Sequence, residues 1–146
     1  MTARELYEKD FFEWAMQNAE LLRAGRLEDA DLEHIAEEIE DMAKSQRREL
    51  LNRVRVLIQH LLKWKFQPQP EAESRSWRAT IIEQRQQINA LLADMPSLRR
   101  AVPEMVEKAY EGAREAAADE TGLPEDAFSG ECPFDVDQIL DRKFFP

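Results

Sequence analysis

The chain has 146 residues, 43% of them hydrophobic, with four glycines and a net charge of −10. The length suits a single domain, 1–146, with a core of its own, and a pI near 4.8 argues against a general nucleic-acid binder, which carries a basic face. One cysteine, Cys132, excludes an intrachain disulfide framework and a cysteine-rich zinc site. The amino-terminal MTARELYEKD has no apolar signal-peptide segment, and no charge-free stretch approaches the roughly 20 residues of a membrane span. A cytoplasmic chain without membrane contact is expected.

In chain order, a first helix is expected over residues 10–24, with Phe11, Trp14, Leu21 and Leu22 on one stripe. Gly25 follows it, as the residue that tolerates positive φ past a helix end. The second helix is the long one, from Asp31 to about Gln67, without Gly or Pro. Counting about 100° per residue from Ile35 puts Ile39, Met42, Leu50, Leu57, Leu61 and Trp64 on one side. Asp31 stands where an N-cap belongs, and Pro68 and Pro70 close the other end. The stripe is weakest at Ala43-Lys44-Ser45, where continuity and a break are both open. The charges on this helix are segregated: eight acids and no bases from Glu28 to Asp41, then seven bases and one acid, Glu49, from Lys44 to Lys65. A helix dipole acts only over the end turns, so the pattern calls for neighbours of opposite sign or for a partner.

Residues 67–75 read as a polar, proline-bearing loop. A third helix is expected from an N-cap at Ser76 to Asp94, with Trp77, Ile81, Ile88, Leu91 and Leu92 on its stripe. Pro96 and Ser97 end it and start a short helical turn through Ala101. The fourth helix takes Pro103 in its first turn, where the missing N–H does no harm, and runs to Thr121 with Gly122 beyond. Its inner face is Val102, Val106, Ala109, Ala113, Ala116 and Ala117. An irregular tail follows, with a turn from Pro124 to Phe128 and a short helix near Asp135–Leu140. Phe144, Phe145 and Pro146 are expected to fold back. The fold class is all-α: a mostly up-and-down bundle of four main helices, with one unusually long second helix and an irregular capping C-terminal tail.

Six pieces carry a family resemblance: YEKDFFEWA (Tyr7–Ala15), LLRAGRLEDADLEHIAEEIEDM (Leu21–Met42), HLLKW (His60–Trp64), SWRATI (Ser76–Ile81), ETGLP (Glu120–Pro124) and ECPF (Glu131–Phe134). Together they resemble a bacterial family known only as "domain of unknown function 29". The resemblance spans nearly the whole chain and implies a small all-helical bundle. It implies no activity, cofactor or site residue.

Candidate chemistry is sparse. Neither His34 nor His60 has a Glu three residues before it, so the paired Glu-x-x-His motifs of a di-iron bundle are not present. His34 and Glu38, one turn apart, are the nearest thing to a metal pair, and no metal or other cofactor is expected. Cys132 has no base nearby in sequence and reads as a structural thiol. Arg53 or Arg55 with His60 has the spacing of some helical ribonucleases, but Arg55 and His60 fall about 140° apart around a helix. No catalytic residue is assigned.

Two binding candidates remain. Lys63, Trp64, Lys65, Arg75, Trp77 and Arg78 meet at the corner between the second and third helices, where bases and aromatics together stack nucleobases or grip an acidic partner. The competing reading has the tryptophans plug the bundle end while the bases face the fourth helix and tail, where eleven acids meet two bases from Glu104 to Asp137. The other candidate is a polar layer: Gln46, Glu49, Arg53 and His60 within the stripe of the second helix, and Gln84 on the third. Glu49 precedes Arg53 by one turn, the favourable order for an ion pair, and the pair is expected to be buried. Such a layer either sets helix register or opens a small-ligand pocket. The reading that follows is a non-enzymatic protein-interaction module with a protein partner. A small-ligand or nucleic-acid binder is the alternative, and a ribonuclease comes last.

Overall fold

The computed structural model describes residues 1–67 and 71–146. Among these residues every regular element is helical. The α-helices are α1 (Ala3–Lys9), α2 (Phe11–Arg23), α3 (Leu32–Phe66), α4 (Glu71–Asp94), α5 (Val102–Thr121) and α6 (Val136–Leu140), with 3₁₀ turns at Leu27–Asp29, Pro96–Ala101 and Glu125–Ala127. The fold is an all-α bundle, and α3, at 35 residues, is its longest helix. It is continuous through Ala43-Lys44-Ser45.

Several boundaries follow the expected local chemistry. Gly25 and Gly122 adopt φ of +73° and +75°, as helix-terminating glycines do. Pro103 sits in the first turn of α5, and Asp135 caps α6 by accepting from the Gln138 N–H at 2.8 Å. Two boundaries are corrected. Thr2 and Glu5 form a capping box that starts α1, a helix the sequence reading left out. At α4, the helix begins at Glu71, so Glu71–Arg75 is helix where a loop was expected. Ser76 lies inside it, its carbonyl accepting from the Thr80 hydroxyl. The expected stop at Pro68 and Pro70 lies outside the described residues.

The chain forms two compact units, Met1–Gln46 and Arg47–Pro146. In the first, a polar and aromatic network joins α1, α2 and the start of α3. Asp31 is buried, and its carboxylate accepts from the Trp14 indole N–H at 3.1 Å and from the His34 backbone N–H at 3.4 Å. His34 Nδ1 lies 2.6 Å from the same carboxylate. The His34 ring stacks on Tyr7 at 3.8 Å between centroids, and the Tyr7 hydroxyl donates to Glu38 at 2.5 Å. The Asn18 side chain accepts from the Asp31 backbone N–H at 2.8 Å. The predicted cap is therefore present, and the same carboxylate also anchors α2.

The second unit holds the main core. Leu50, Val54, Ile58 and Leu62 follow one another at one-turn spacing along α3, with Leu57 and Leu61 beside them, and all are wholly buried. They pack with Ile81, Ile88 and Leu92 of α4 and with Val102, Met105, Ala109, Ala113 and Ala117 of α5. Alanines at one-turn intervals let backbones come close, and a Cβ placed on Gly112 would meet the Arg55 stem at 3.4 Å. The tail folds back as expected: Phe144 packs edge-on against Phe134, and Phe145 lies 5.0 Å from Trp64.

The tail is also held by a residue that sequence reasoning passed over. Arg85 is only 1% exposed. Its Nε donates to the Ile139 carbonyl at 2.8 Å, and its two terminal nitrogens donate to the carbonyls of Phe144 and Gln138. Burial lowers its pKa, and nearby Asp141 partly offsets that.

Candidate functional site

Within the expected polar layer Glu49, Arg53 and Gln84 are joined, and the ion pair is only half-buried. Arg53 donates to Glu49 at 3.1 Å and to the Gln84 side-chain oxygen at 3.3 Å. Yet the Glu49 side chain keeps 43% of its surface in water, and that of Arg53 28%. The reason is the row from Leu50 to Leu62, which shifts the buried arc of α3 toward Val54 and Ile58 and leaves Glu49 and Arg53 on its margin. His60 is half-buried and its Nδ1 lies 2.9 Å from the Val56 carbonyl. Burial pushes its pKa down, and Lys63 adds to this, against the opposing pull of the Val56 carbonyl and Glu120. Gln46 is exposed and belongs to the first unit.

The corner between α3 and α4 does assemble, largely around internal partners. The Lys63 side chain is buried, its ammonium paired with Glu120 of α5 and lying 4.3 Å from the Trp77 ring centroid. Gln59 also donates to Glu120, at 2.7 Å. Trp64 packs on Phe145, over which the Arg78 guanidinium sits at 4.6 Å. Lys65 and Arg75 are exposed. The bases thus face an α5 acid at Lys63 and a tail aromatic at Arg78.

The remaining chemical candidates have structural partners. His34 and Glu38, the potential metal pair, are linked through Tyr7. The Glu38 carboxylate, together with partial burial, pushes the Tyr7 hydroxyl up to about 12. No group of three or more metal-ligating residues occurs among the described residues. Cys132 is half-buried, its thiol directed to the Phe134 carbonyl at 3.4 Å, and burial raises its pKa.

What the first unit leaves uncovered is more distinctive. The apolar stripe expected to be core along the whole of the long helix is core only in the second unit. In the first, Leu32, Ile39 and Met42 are 49%, 57% and 61% exposed, with Ile35 half-buried. Phe12 and Met16, one turn apart on α2, are also bare. Among the described residues, nine of the ten large apolar side chains exposed by more than a third lie in Met1–Gln46, and the tenth is Ile82. Scattered exposed apolar residues are ordinary, whereas these are concentrated in one small unit. The same unit carries 13 acids against 5 bases, a net charge of −8.

Among the described residues no helix is long and apolar enough to cross a membrane. No curated protein and no solved structure matches the chain. A family model described as Domain of unknown function DUF29 matches residues 6–145, nearly the whole chain, and the chain belongs to that family.

Proposed function

We propose that this chain is a non-enzymatic protein-interaction module that engages its partner through residues Met1–Gln46. The observation that carries the reading is the bare stripe Leu32–Ile35–Ile39–Met42, an apolar helix face left in water in a unit whose one buried large apolar side chain is Trp14. A unit of 46 residues with so small a core gains stability from a protein that covers it. Cytoplasmic residence belongs to the same proposal, supported by a single cysteine in 146 residues.

The small-ligand and nucleic-acid alternatives have less support, because the cation at the centre of the corner, Lys63, is buried against Glu120 and Trp77. A ribonuclease reading has less still. Arg55 packs its stem toward Gly112, and the His60 ring is engaged with a backbone carbonyl on its own helix.

The test compares proteins retained from native cells by the intact chain and by an Ile39→Gln/Met42→Gln variant. Both changes are charge-neutral and keep good helix formers. A partner retained by the first and lost by the second is the expected result. Identical retention by both would remove the stripe from the account.

A further inference from the structure

We infer that the cleft between α4 and the C-terminal tail binds a small organic dianion, a phosphate monoester or a dicarboxylate. The cleft lies within the second unit, shares no residue with the stripe of α3, and does not depend on the docking reading above. It is a cavity of about 680 Å³ between Ile82, Arg85, Gln86 and Asn89 of α4, spaced so as to share one side of the helix, and residues 140–143 of the tail. That volume falls within the roughly 300–1,000 Å³ of small-molecule sites.

Arg85 gives the cavity its chemistry. A guanidinium has five N–H donors, and those of Arg85 serve the carbonyls of Ile139, Phe144 and Gln138 with three. The other two, on the terminal nitrogens, have no acceptor among the described residues, although the side chain is only 1% exposed. Carbonyls satisfy hydrogen bonds but carry no net charge, and among the described residues no carboxylate forms an ion pair with Arg85. The Phe145 ring, 5.5 Å from the guanidinium, offers a π face and no anion. A buried cation without a counter-ion is costly. An anion in the cavity would supply both the acceptors and the opposing charge.

The rest of the lining sets the ligand class. Arg142 and Lys143 add two exposed cations, and Asp141 is the one acid among the lining residues. Three cations and one acid leave a charge of +2 around the cavity, in a chain of net charge −10, and that suits a dianion. The Asp141 carboxylate itself accepts from the Lys143 backbone N–H at 2.9 Å. Gln86 and Asn89 carry further amide donors, while Ile82 and Leu140 add apolar wall. Arginine forks fit carboxylate and phosphate oxygens alike. Apolar wall and a volume this large fit an organic body on the anion.

The test titrates the isotope-labelled intact chain with phenyl phosphate, glutarate, inorganic phosphate and benzyl alcohol, read by its amide resonances. Phenyl phosphate or glutarate should saturably shift the side-chain amide of Asn89 and the backbone amide of Lys143, and the tighter of the two identifies the head group. Arg142→Gln/Lys143→Gln should weaken that binding at least about tenfold, which is about 1.4 kcal/mol. Gln86→Trp, which fills the cavity without changing charge, should weaken it as much. Arg99→Gln/Arg100→Gln, at two exposed bases of the Pro96–Ala101 turn, should leave it unchanged. Arg85 also holds the tail, so it stays in place, and circular dichroism of all three variants should match the parent.

No saturable shift with either organic dianion would overturn the inference. Equal binding of benzyl alcohol would overturn it by removing the charge, and equal binding of inorganic phosphate by removing the organic body. Equal weakening by Arg99→Gln/Arg100→Gln would reduce the effect to bulk charge. Unchanged binding by Gln86→Trp would put the ligand outside the cavity. Either of these two results would also sink the site.

Discussion

Ile39 and Leu50 stand eleven residues apart on α3 and only about 20° apart around it, yet Leu50 is wholly buried and Ile39 is 57% exposed. One side of one helix therefore serves as core in the second unit and as open surface in the first. The stability of single variants should record this directly. Ile39→Gln/Met42→Gln should change the unfolding free energy by less than about 0.5 kcal/mol, as surface substitutions do. Leu50→Ala should cost about 2–5 kcal/mol through lost burial and the cavity left behind. Denaturant melts of the two variants check the contrast.

Glu49 should prove nearly dispensable. Its bond to Arg53 is well formed at 3.1 Å, but both side chains remain in contact with water. An ion pair so placed contributes about 0–1 kcal/mol, against roughly 3–5 kcal/mol lost when a buried pair is broken. Glu49→Ala should therefore lower the unfolding free energy by less than about 1 kcal/mol. A larger loss in urea melts would mean that the pair is shielded from solvent.

These two residues show where the sequence is legible and where it stops. Helix ends with strong local chemistry were readable: Gly25, Asp31, Pro103 and Gly122 each act through their own backbone or side chain. So was the Glu49–Arg53 pairing, because one-turn spacing sets it. Its burial was not readable. An apolar stripe gives the face a helix would hide, but a neighbour must exist to hide it, and neighbours are set by tertiary packing. At Leu50–Leu62 the neighbours α4 and α5 cover a wider arc than the stripe, displaced toward Val54 and Ile58. Two local signals were present and missed. Thr2 and Glu5 have capping-box spacing, and Arg85 falls between Ile81 and Ile88 on the buried side of α4. The prolines near residue 70 drew the start of α4 too late, toward Ser76. The Tyr7–His34 stack and the Trp14–Asp31 bond join residues far apart in sequence and have no periodic signature.

Asp31 should hold the first unit together. Burial alone would raise its pKa, but hydrogen bonds from His34 and Trp14 outweigh that and leave the carboxyl below its usual value. A folded pKa below the unfolded one stabilises the unit above the unfolded value, near pH 3.9, and that contribution is lost as pH falls through the folded pKa. Asp31→Ala removes a cap, worth about 1 kcal/mol, and strands the buried Trp14 indole N–H, at about 1–3 kcal/mol. The Trp14 indole proton resonance should collapse toward its solvent-exposed position in this variant. An unshifted resonance would show that the carboxylate does not anchor α2.

Arg85 should control the tail. Three carbonyls of residues 138–144 depend on one guanidinium, and a hydrogen bond from a charged donor contributes about 1.5–3 kcal/mol. Arg85→Met keeps most of the volume and loses all three bonds. Limited proteolysis should then cleave the chain near Gln138–Phe144 much faster than in the parent, with α5 still protected. Cleavage at the parent rate would show that the aromatic contacts of Phe144 and Phe145 hold the tail unaided.

The most direct test of the interaction surface places a photo-crosslinking amino acid at position 39 in the bare stripe and, as a control, at position 83, an exposed glutamate of α4. Illuminated in the native cell, position 39 should yield a discrete adduct with a second polypeptide, and position 83 should not. No adduct at 39, or the same adducts at both positions, would contradict the account.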